Sequence, residues 1–441
     1  MVFSSIVFIF YFLPLVLLFY YLFPNKFKNL TLFIFSLLFY SWGEPIYIFL
    51  MLFSCLSDYI HSIIIDKYRS TIYSKIALIS SISINIGILI FFKYLPFNLP
   101  LPIGISFYTF QTMSYSIDVY RGNVPVQKNF LTLATYVTLF PQLVAGPIVR
   151  YIDIEKELDF RVHNLDTFYQ GVYRFIVGLS KKVLLANNLG IIWNNIKISP
   201  IHDLSLFTSW LGIICFTLQI YFDFSGYSDM AIGLGKMFGF TFPENFNFPY
   251  ISKSITEFWR RWHISLGSWF RDYVYIPLGG NRCSKHRWFF NIFVVWFLTG
   301  IWHGASFNFI LWGLYFGIIL VLEKLFILNL LNKLPNLLRH FYTLFIIILG
   351  FVLFEFNSLS SISSYLKSML FNSNLIDYNF IYYFVPNIVL LLISFISCTP
   401  IIKYILDKYN LFRFVFLLLG LILSTSFLVD SSFNPFLYFR F

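Results

Sequence analysis

Residues 291–322 read NIFVVWFLTGIWHGASFNFILWGLYFGIILVL. The run contains no Asp, Glu, Lys or Arg, and His303 stands near its middle. Either flank is apolar enough to lie in lipid, so the run reads as parts of two membrane helices that meet at Trp302-His303-Gly304. An imidazole at that depth is expensive unless it faces protein or water, which makes it a functional hypothesis by default. The bland alternative is a membrane histidine satisfied by one hydrogen bond. Gly304, Ala305 and Ser306 follow at once and leave room for close approach by another chain or a ligand.

Composition gives the same setting for the whole chain. Of its 441 residues, 58% are hydrophobic and only 12% charged, against roughly 25% charged in a typical soluble domain. Such a chain cannot cover its surface with polar groups, so lipid must be its main solvent. Spans are expected near 3–23, 29–57, 76–98, 130–146, 170–190, 205–222, 288–305, 307–330, 341–356, 379–398 and 411–430, about eleven in all. The expectation is an all-α polytopic bundle, one domain over 1–441, with some helices short or broken. SWGEP (41–45) interrupts the second span. LPIGISFYTFQTMSYSIDVYRG (101–122) carries Gly104, Gln111 and Asp118 and is too polar for lipid, so it should be re-entrant or buried. Irregular backbone at membrane depth persists only where it is buried or lines a wet cavity, which implies a cavity here.

The opening MVFSSIVFIFYFLPLVLLFYYLF has neither a basic n-region nor a small-residue cleavage site and reads as a retained first span. Lys26 and Lys28 behind it put the first loop on the cytoplasmic side. The net charge of +11 fits loops facing anionic lipid and does not call for nucleic acid. Cys55, Cys215, Cys283 and Cys398 are scattered without a CxxC, and no His pair has helical zinc spacing, so neither a disulfide framework nor a metal site is expected. No internal repeat is visible, which weighs against a secondary transporter.

The least lipid-like long segment is 219–287. Between 253 and 287 it holds seven basic residues (Lys253, Arg260, Arg261, Arg271, Arg282, Lys285, Arg287) against Glu257 and Asp272. Ser254-Ile-Thr-Glu257 reads as a capping box that starts a helix. Trp259, Trp262, Leu266, Trp269 and Tyr273 then recur at helical spacing, with Arg260, His263, Gly267 and Arg271 on another face. Pro277 and Gly279-Gly280 end it. This reads as an interfacial helix whose arginines could receive an anionic ligand. Asp223 and Asp229 are read as ties to Lys or Arg, Lys181-Lys182 as a snorkelling span end, and the Gly235/Gly239 spacing as helix packing.

DFSGYSDMAIGLGKMFGF, FPENFNFPY, SITEFWRRWHISLGSWFRDYVYIPLGGNR and GIWHGASFNFILWG together resemble the membrane-bound O-acyltransferase family. The likeness is greatest to its bacterial branch that acetylates exported polysaccharides, in alginate and peptidoglycan O-acetylation, with teichoic acid D-alanyl transferases more distant. It covers about 140–317 (from PQLVAGPIVR), with a weaker match in NPFLYFRF at 434–441. The resemblance implies a multi-helix membrane bundle with a central tunnel. It also implies an acetyl-CoA donor arriving from the cytoplasm, an exported polysaccharide or peptidoglycan acceptor beyond, and no bound cofactor.

The essential histidine of the family falls on WHG, here His303, and the second functional histidine of this branch on RRWHISL, here His263. Arg260, Arg261, Trp302 and Asn308 are the further substrate-binding candidates, and no metal is implied. His303 would serve as general base in acyl transfer. His263 or a backbone amide would stabilise the oxyanion or orient the pair. The branch often works with a periplasmic SGNH-type transferase. The sequence has no GDS block of that kind, so a separate partner is expected, with the chain in the bacterial cytoplasmic (inner) membrane. The alternatives are D-alanyl or longer-chain cargo, or a polytopic polysaccharide or lipid transporter.

Overall fold

The computed structural model describes residues 1–95, 99–144, 146–430 and 433–435. Ala145 of PQLVAGPIVR and residues 436–441 of NPFLYFRF therefore lie outside the described residues. All regular structure among the described residues is helical. Among the described residues, seven helices are long and apolar enough to cross a membrane: Ile48–Lys67, Ile72–Tyr94, Leu165–Ile198, Leu206–Met237, Phe307–Leu331, Asn336–Glu355 and Asn410–Asp430. Tyr378–Phe384 and Ile388–Ser397, bent by 62° at their junction, make an eighth if counted as one broken span. The count falls below eleven because other apolar stretches form helices too short or too polar to span on their own. Examples are Phe8–Leu22, Lys28–Ser41 and Lys285–His303. The chain is a multi-pass membrane protein.

Two compact units are resolved. The first comprises Met1–Leu179 with Tyr227–Glu244, and the second Ser180–Gly226 with Asn245–Phe441. In the first, the break expected at SWGEP separates Lys28–Ser41 from Ile48–Lys67. The polar stretch expected to avoid lipid forms Ile105–Arg121, buried along nearly its whole length. Its Ser116 hydroxyl donates to Asp58 (2.9 Å), which also accepts from Asn85 Nδ2 (2.8 Å) and from Ser81. Thr112 in turn donates to Asn85 Oδ1 (2.9 Å). A carboxylate away from water is tolerable when its lone pairs are met in this way.

Asp229 takes the guanidinium of Arg174 (2.8 Å), as the ion-tie reading expects. Helix packing at GLGKMFG depends on a different glycine from the pair expected. A Cβ on Gly233 would meet Gly171 O at 2.6 Å, and one on Gly171 would meet Gly233 O at 2.7 Å. Gly239 lies beyond the helix at φ +81°, a conformation open to glycine at little cost.

In the second unit, Lys182 is corrected from a snorkelling residue to a buried one. Its Nζ sits 2.6 Å from Asp223, with both side chains 3% exposed or less. The expected tie for Asp223 is thus present, with a partner that faces inward and not toward the interface. Lys285–His303 and Phe307–Leu322 form an antiparallel pair brought close by glycine. A Cβ on Gly313 would lie 2.4 Å from Trp296 O, and one on Gly300 would lie 2.5 Å from Phe309 O. Small residues let membrane helices approach this closely, since lipid supplies no hydrophobic drive between them.

Candidate active site

The segment from 254 to 275 is not one helix. Ser254 Oγ accepts from Glu257 N (3.0 Å), as a cap should, and Glu257 Oε2 accepts from Lys253 N (2.9 Å). The helix Ile255–Arg261 then stops. His263 turns the chain through φ 46°, ψ 54°, and a second helix runs Ile264–Phe270, followed by a π-helical turn Arg271–Tyr275. The aromatic spacing continues across the break, which is why periodicity alone joined the two. His263 does not share an exposed polar face with Arg260 and Arg271. It is 3% exposed.

Asn245 makes this turn possible. Its Oδ1 accepts from Ser265 N (3.2 Å), from Ser265 Oγ (2.9 Å) and from His263 Nδ1 (3.1 Å), while its backbone oxygen accepts from Ile264 N (2.9 Å). The Ser265 amide can only donate, so it fixes the carbonyl end of Asn245 toward this cluster. His263 Nδ1 must then carry a proton, and a neutral ring has its lone pair on Nε2. At the other end of the break, the buried Glu323 carboxylate accepts from Ile255 N (2.7 Å), Thr256 N (2.7 Å) and Thr256 Oγ1 (2.6 Å). It anchors the free amides at the start of the Ile255–Arg261 helix. Neither Asn245 nor Glu323 was singled out from sequence. The signal for Glu323 was a lone acid in an apolar run, ILVLEKLF.

His303 is the last residue of Lys285–His303 and is 7% exposed. Four rings enclose its imidazole: Trp302, Trp312, Phe354 and Phe309, with centroids 4.9, 5.0, 5.2 and 6.2 Å away. The room expected beside Gly304 is filled by Phe309, whose ring carbons lie about 2.5 Å from where a Cβ would stand. Trp302 also faces His263, at 6.1 Å between centroids, and Phe224 closes the other side of that ring at 4.7 Å. The two histidines, 40 residues apart in sequence, therefore share one tryptophan as a common wall.

The remaining candidates separate by role. Asn308 is buried and its Nδ2 donates to Phe354 O (2.9 Å) and Leu353 O (3.3 Å), which holds Phe354 against the His303 enclosure. Its Oδ1 meets no donor among the described residues. Arg261 is tied to Glu257 (2.9 Å) and to Asn247 O (3.0 Å), whereas Arg260 is exposed. The indole N–H groups of Trp259 and Trp312 are buried and meet no acceptor among the described residues. No cluster of three or more His, Cys, Asp or Glu suited to a metal occurs among the described residues. Water is largely excluded from both imidazoles, and electrostatic interactions strengthen in such surroundings.

The described residues thus form an all-helical multi-pass membrane protein with two buried histidines against one tryptophan. The sequence model of the membrane-bound O-acyltransferase family (MBOAT) matches residues 46–366. The chain is 42% identical over 382 residues to the probable alginate O-acetylase of Pseudomonas aeruginosa, covering 81% of this chain and 73% of that one. It is 32% identical over 421 residues to the peptidoglycan O-acetyltransferase of Helicobacter pylori, covering 84% and 80%. To the teichoic acid D-alanyltransferase of Bacillus subtilis it is 31% identical over 244 residues, covering 52% and 61%. The chain belongs to the membrane-bound O-acyltransferase family, and it is an acyltransferase.

Proposed function

We propose that this protein, seated in a bacterial cytoplasmic membrane, moves an acetyl group from cytoplasmic acetyl-CoA towards hydroxyls of an exported or cell-wall polysaccharide. The route is the central tunnel expected of the fold, and a periplasmic SGNH-type transferase completes delivery. His303 Nε2 or Nδ1 takes the proton of the attacking hydroxyl as its oxygen adds to the thioester carbonyl. The tetrahedral intermediate collapses, the C–S bond breaks, and the proton passes from His303 to the departing thiolate. A positioned general base contributes about 10²–10⁴-fold to such a step.

His263 orients the acyl group beside Trp302, and Trp312 N–H is a donor suited to the developing oxyanion. Trp302 and Asn308 shape the surroundings of His303, and Arg260 is the arginine left exposed to meet the donor. Arg261 serves by fixing the helix, given its two bonds. The observation that carries this reading is Trp302 lying against both imidazoles.

Acetyl is preferred to D-alanyl as cargo because the two O-acetylation relatives match over 81% and 84% of this chain and the D-alanyl relative over 52%. In a strain lacking the gene, acetate bound to cell-wall or secreted polysaccharide should disappear and return with the wild-type protein but not with His303→Ala. Full restoration by a well-expressed His303→Ala would overturn the assignment, and unchanged acetate in the deletion strain would overturn the acceptor class.

A further inference from the structure

The first unit carries a cluster of basic side chains that the acyl-transfer reading leaves unused. Lys28, only 7% exposed, holds its ammonium 5.0 Å from the ring centre of Tyr20 and 5.7 Å from that of Tyr21. The guanidinium of Arg161 lies 5.8 Å from the same Tyr20 ring and 4.7 Å from Phe240. His163 packs edge-on to Tyr20 and Tyr21 at 5.5 and 5.6 Å. Three cationic or potentially cationic groups thus converge on one pair of tyrosines.

Among the described residues, neither Lys28 nor Arg161 forms an ion pair, unlike Arg174 or Lys182. Glu157, one of two acids whose charge acts on Arg161, spends one carboxylate oxygen on Thr241 N (2.8 Å). Asn29 Oδ1 fixes the guanidinium by accepting from Nη2 (2.7 Å), while Nη1 is buried and meets no acceptor among the described residues. The tyrosine hydroxyls are also committed, to Phe238 O (2.7 Å) and Met237 O (2.6 Å). Lys28 and Arg161 thus offer positive charge and a buried donor, while His163 Nε2 lies 3.4 Å from the Tyr20 hydroxyl. Burying like charges together is unfavourable, and an aromatic face offsets only part of it.

The surroundings bear on which anion would fit. Burial, with Lys28 and Arg161 beside it, lowers the His163 imidazole to about 4, so the ring is neutral near pH 7. The cluster is formed by the end of Leu13–Leu22, the start of Lys28–Ser41 and the connections at 160–164 and 238–241. A loop carrying Lys26 and Lys28 falls on the cytoplasmic side, where anionic lipid headgroups and phosphorylated coenzymes both occur. An arginine fork with a buried donor suits a phosphate oxygen better than a point charge does.

We propose that Lys28 and Arg161, with the neutral His163 ring beside them, form a phosphate-binding site at the cytoplasmic face of the first unit, for an anionic lipid headgroup or for the phosphates of the acyl-donor coenzyme. Only the coenzyme arm rests on the proposed function. His303→Ala removes transfer without touching this cluster, so the two readings fail separately.

The test uses the full-length protein in phosphatidylcholine nanodiscs. Soluble probes are acetyl-CoA, its 3′-dephospho form and inorganic phosphate, and a second set of discs contains phosphatidylglycerol. Binding is read as affinity and as a shift in melting temperature. If lipid is the source, phosphatidylglycerol raises the melting temperature of the wild type but not of Lys28→Gln or Arg161→Gln, and acetyl-CoA affinity is equal in all three. If the coenzyme is the source, each variant loses about tenfold in acetyl-CoA affinity, as expected for one charge-assisted hydrogen bond, while His303→Ala binds as the wild type does. Should Arg161→Gln fail to fold, Lys28→Gln alone decides. The proposal is overturned if folded variants bind every probe as the wild type does, or if the wild type responds to none.

Discussion

Two buried regions of the second unit treat polar groups in opposite ways. At Lys182–Asp223, a buried cation meets a buried anion at 2.6 Å, and the pair holds neighbouring segments together. Around His303, four aromatic rings pack against the imidazole, and the Trp312 indole N–H has no acceptor among the described residues. Matched charges stabilise a fold and are poor reagents. An imidazole walled by rings is held in place by packing in surroundings that largely exclude water, which suits a group that must take up and release a proton.

That contrast can be broken at either side. The largest effect is expected at His303→Ala, with transfer falling by about 10²–10⁴-fold while the melting temperature stays near that of the wild type. Lys182→Met should do the reverse. It leaves Asp223 buried without its cation and should destabilise the protein by about 3–5 kcal/mol, whereas Lys182→Met combined with Asp223→Leu recovers much of the loss. Thermal unfolding in detergent measures both.

Trp312→Phe keeps the ring beside His303 and removes only the N–H. A fall of about 100-fold in kcat at unchanged KM would mark it as an oxyanion donor. An unchanged kcat would make it packing alone. Asn245→Ala should loosen the His263 turn and lower kcat by about 10-fold or more through misplacement, with partial rescue by Asn245→Asp, whose oxygen can still accept.

The smallest effect concerns the first unit. His163 has a folded-state value of about 4, below the ordinary 6.5, so the unfolded chain binds more protons between those values. Stability should therefore rise with pH across that window and be lost as pH falls through it. His163→Gln should flatten this part of the profile.

Much of the membrane character was legible because composition and hydropathy are local properties. The interruption at 41–45 and the burial of 101–122 followed from single polar residues in apolar surroundings. Asp223 and Asp229 as ion ties followed from the cost of a bare carboxylate, but their partners did not, since hydropathy carries no information on what a helix faces. Lys182 looked like a span end because its basic neighbour does too, yet its own side is turned inward.

The break at His263 was hidden for a related reason. Aromatic residues keep their spacing through it, and the residue that stabilises the turn, Asn245, lies 18 positions earlier. The two histidines came from motif resemblance, whereas the wall they share depends on the approach of the His263 turn to the end of Lys285–His303. A contact of that kind follows from three-dimensional approach and has no periodic trace.

The most direct test of the central claim is turnover of labelled acetyl-CoA by the purified wild type and His303→Ala in the same nanodiscs, after matched folding checks. The account predicts acetyl release or transfer by the wild type and a loss of at least about 100-fold in the variant, with acetyl-CoA binding retained. Equal turnover in the two proteins would contradict it.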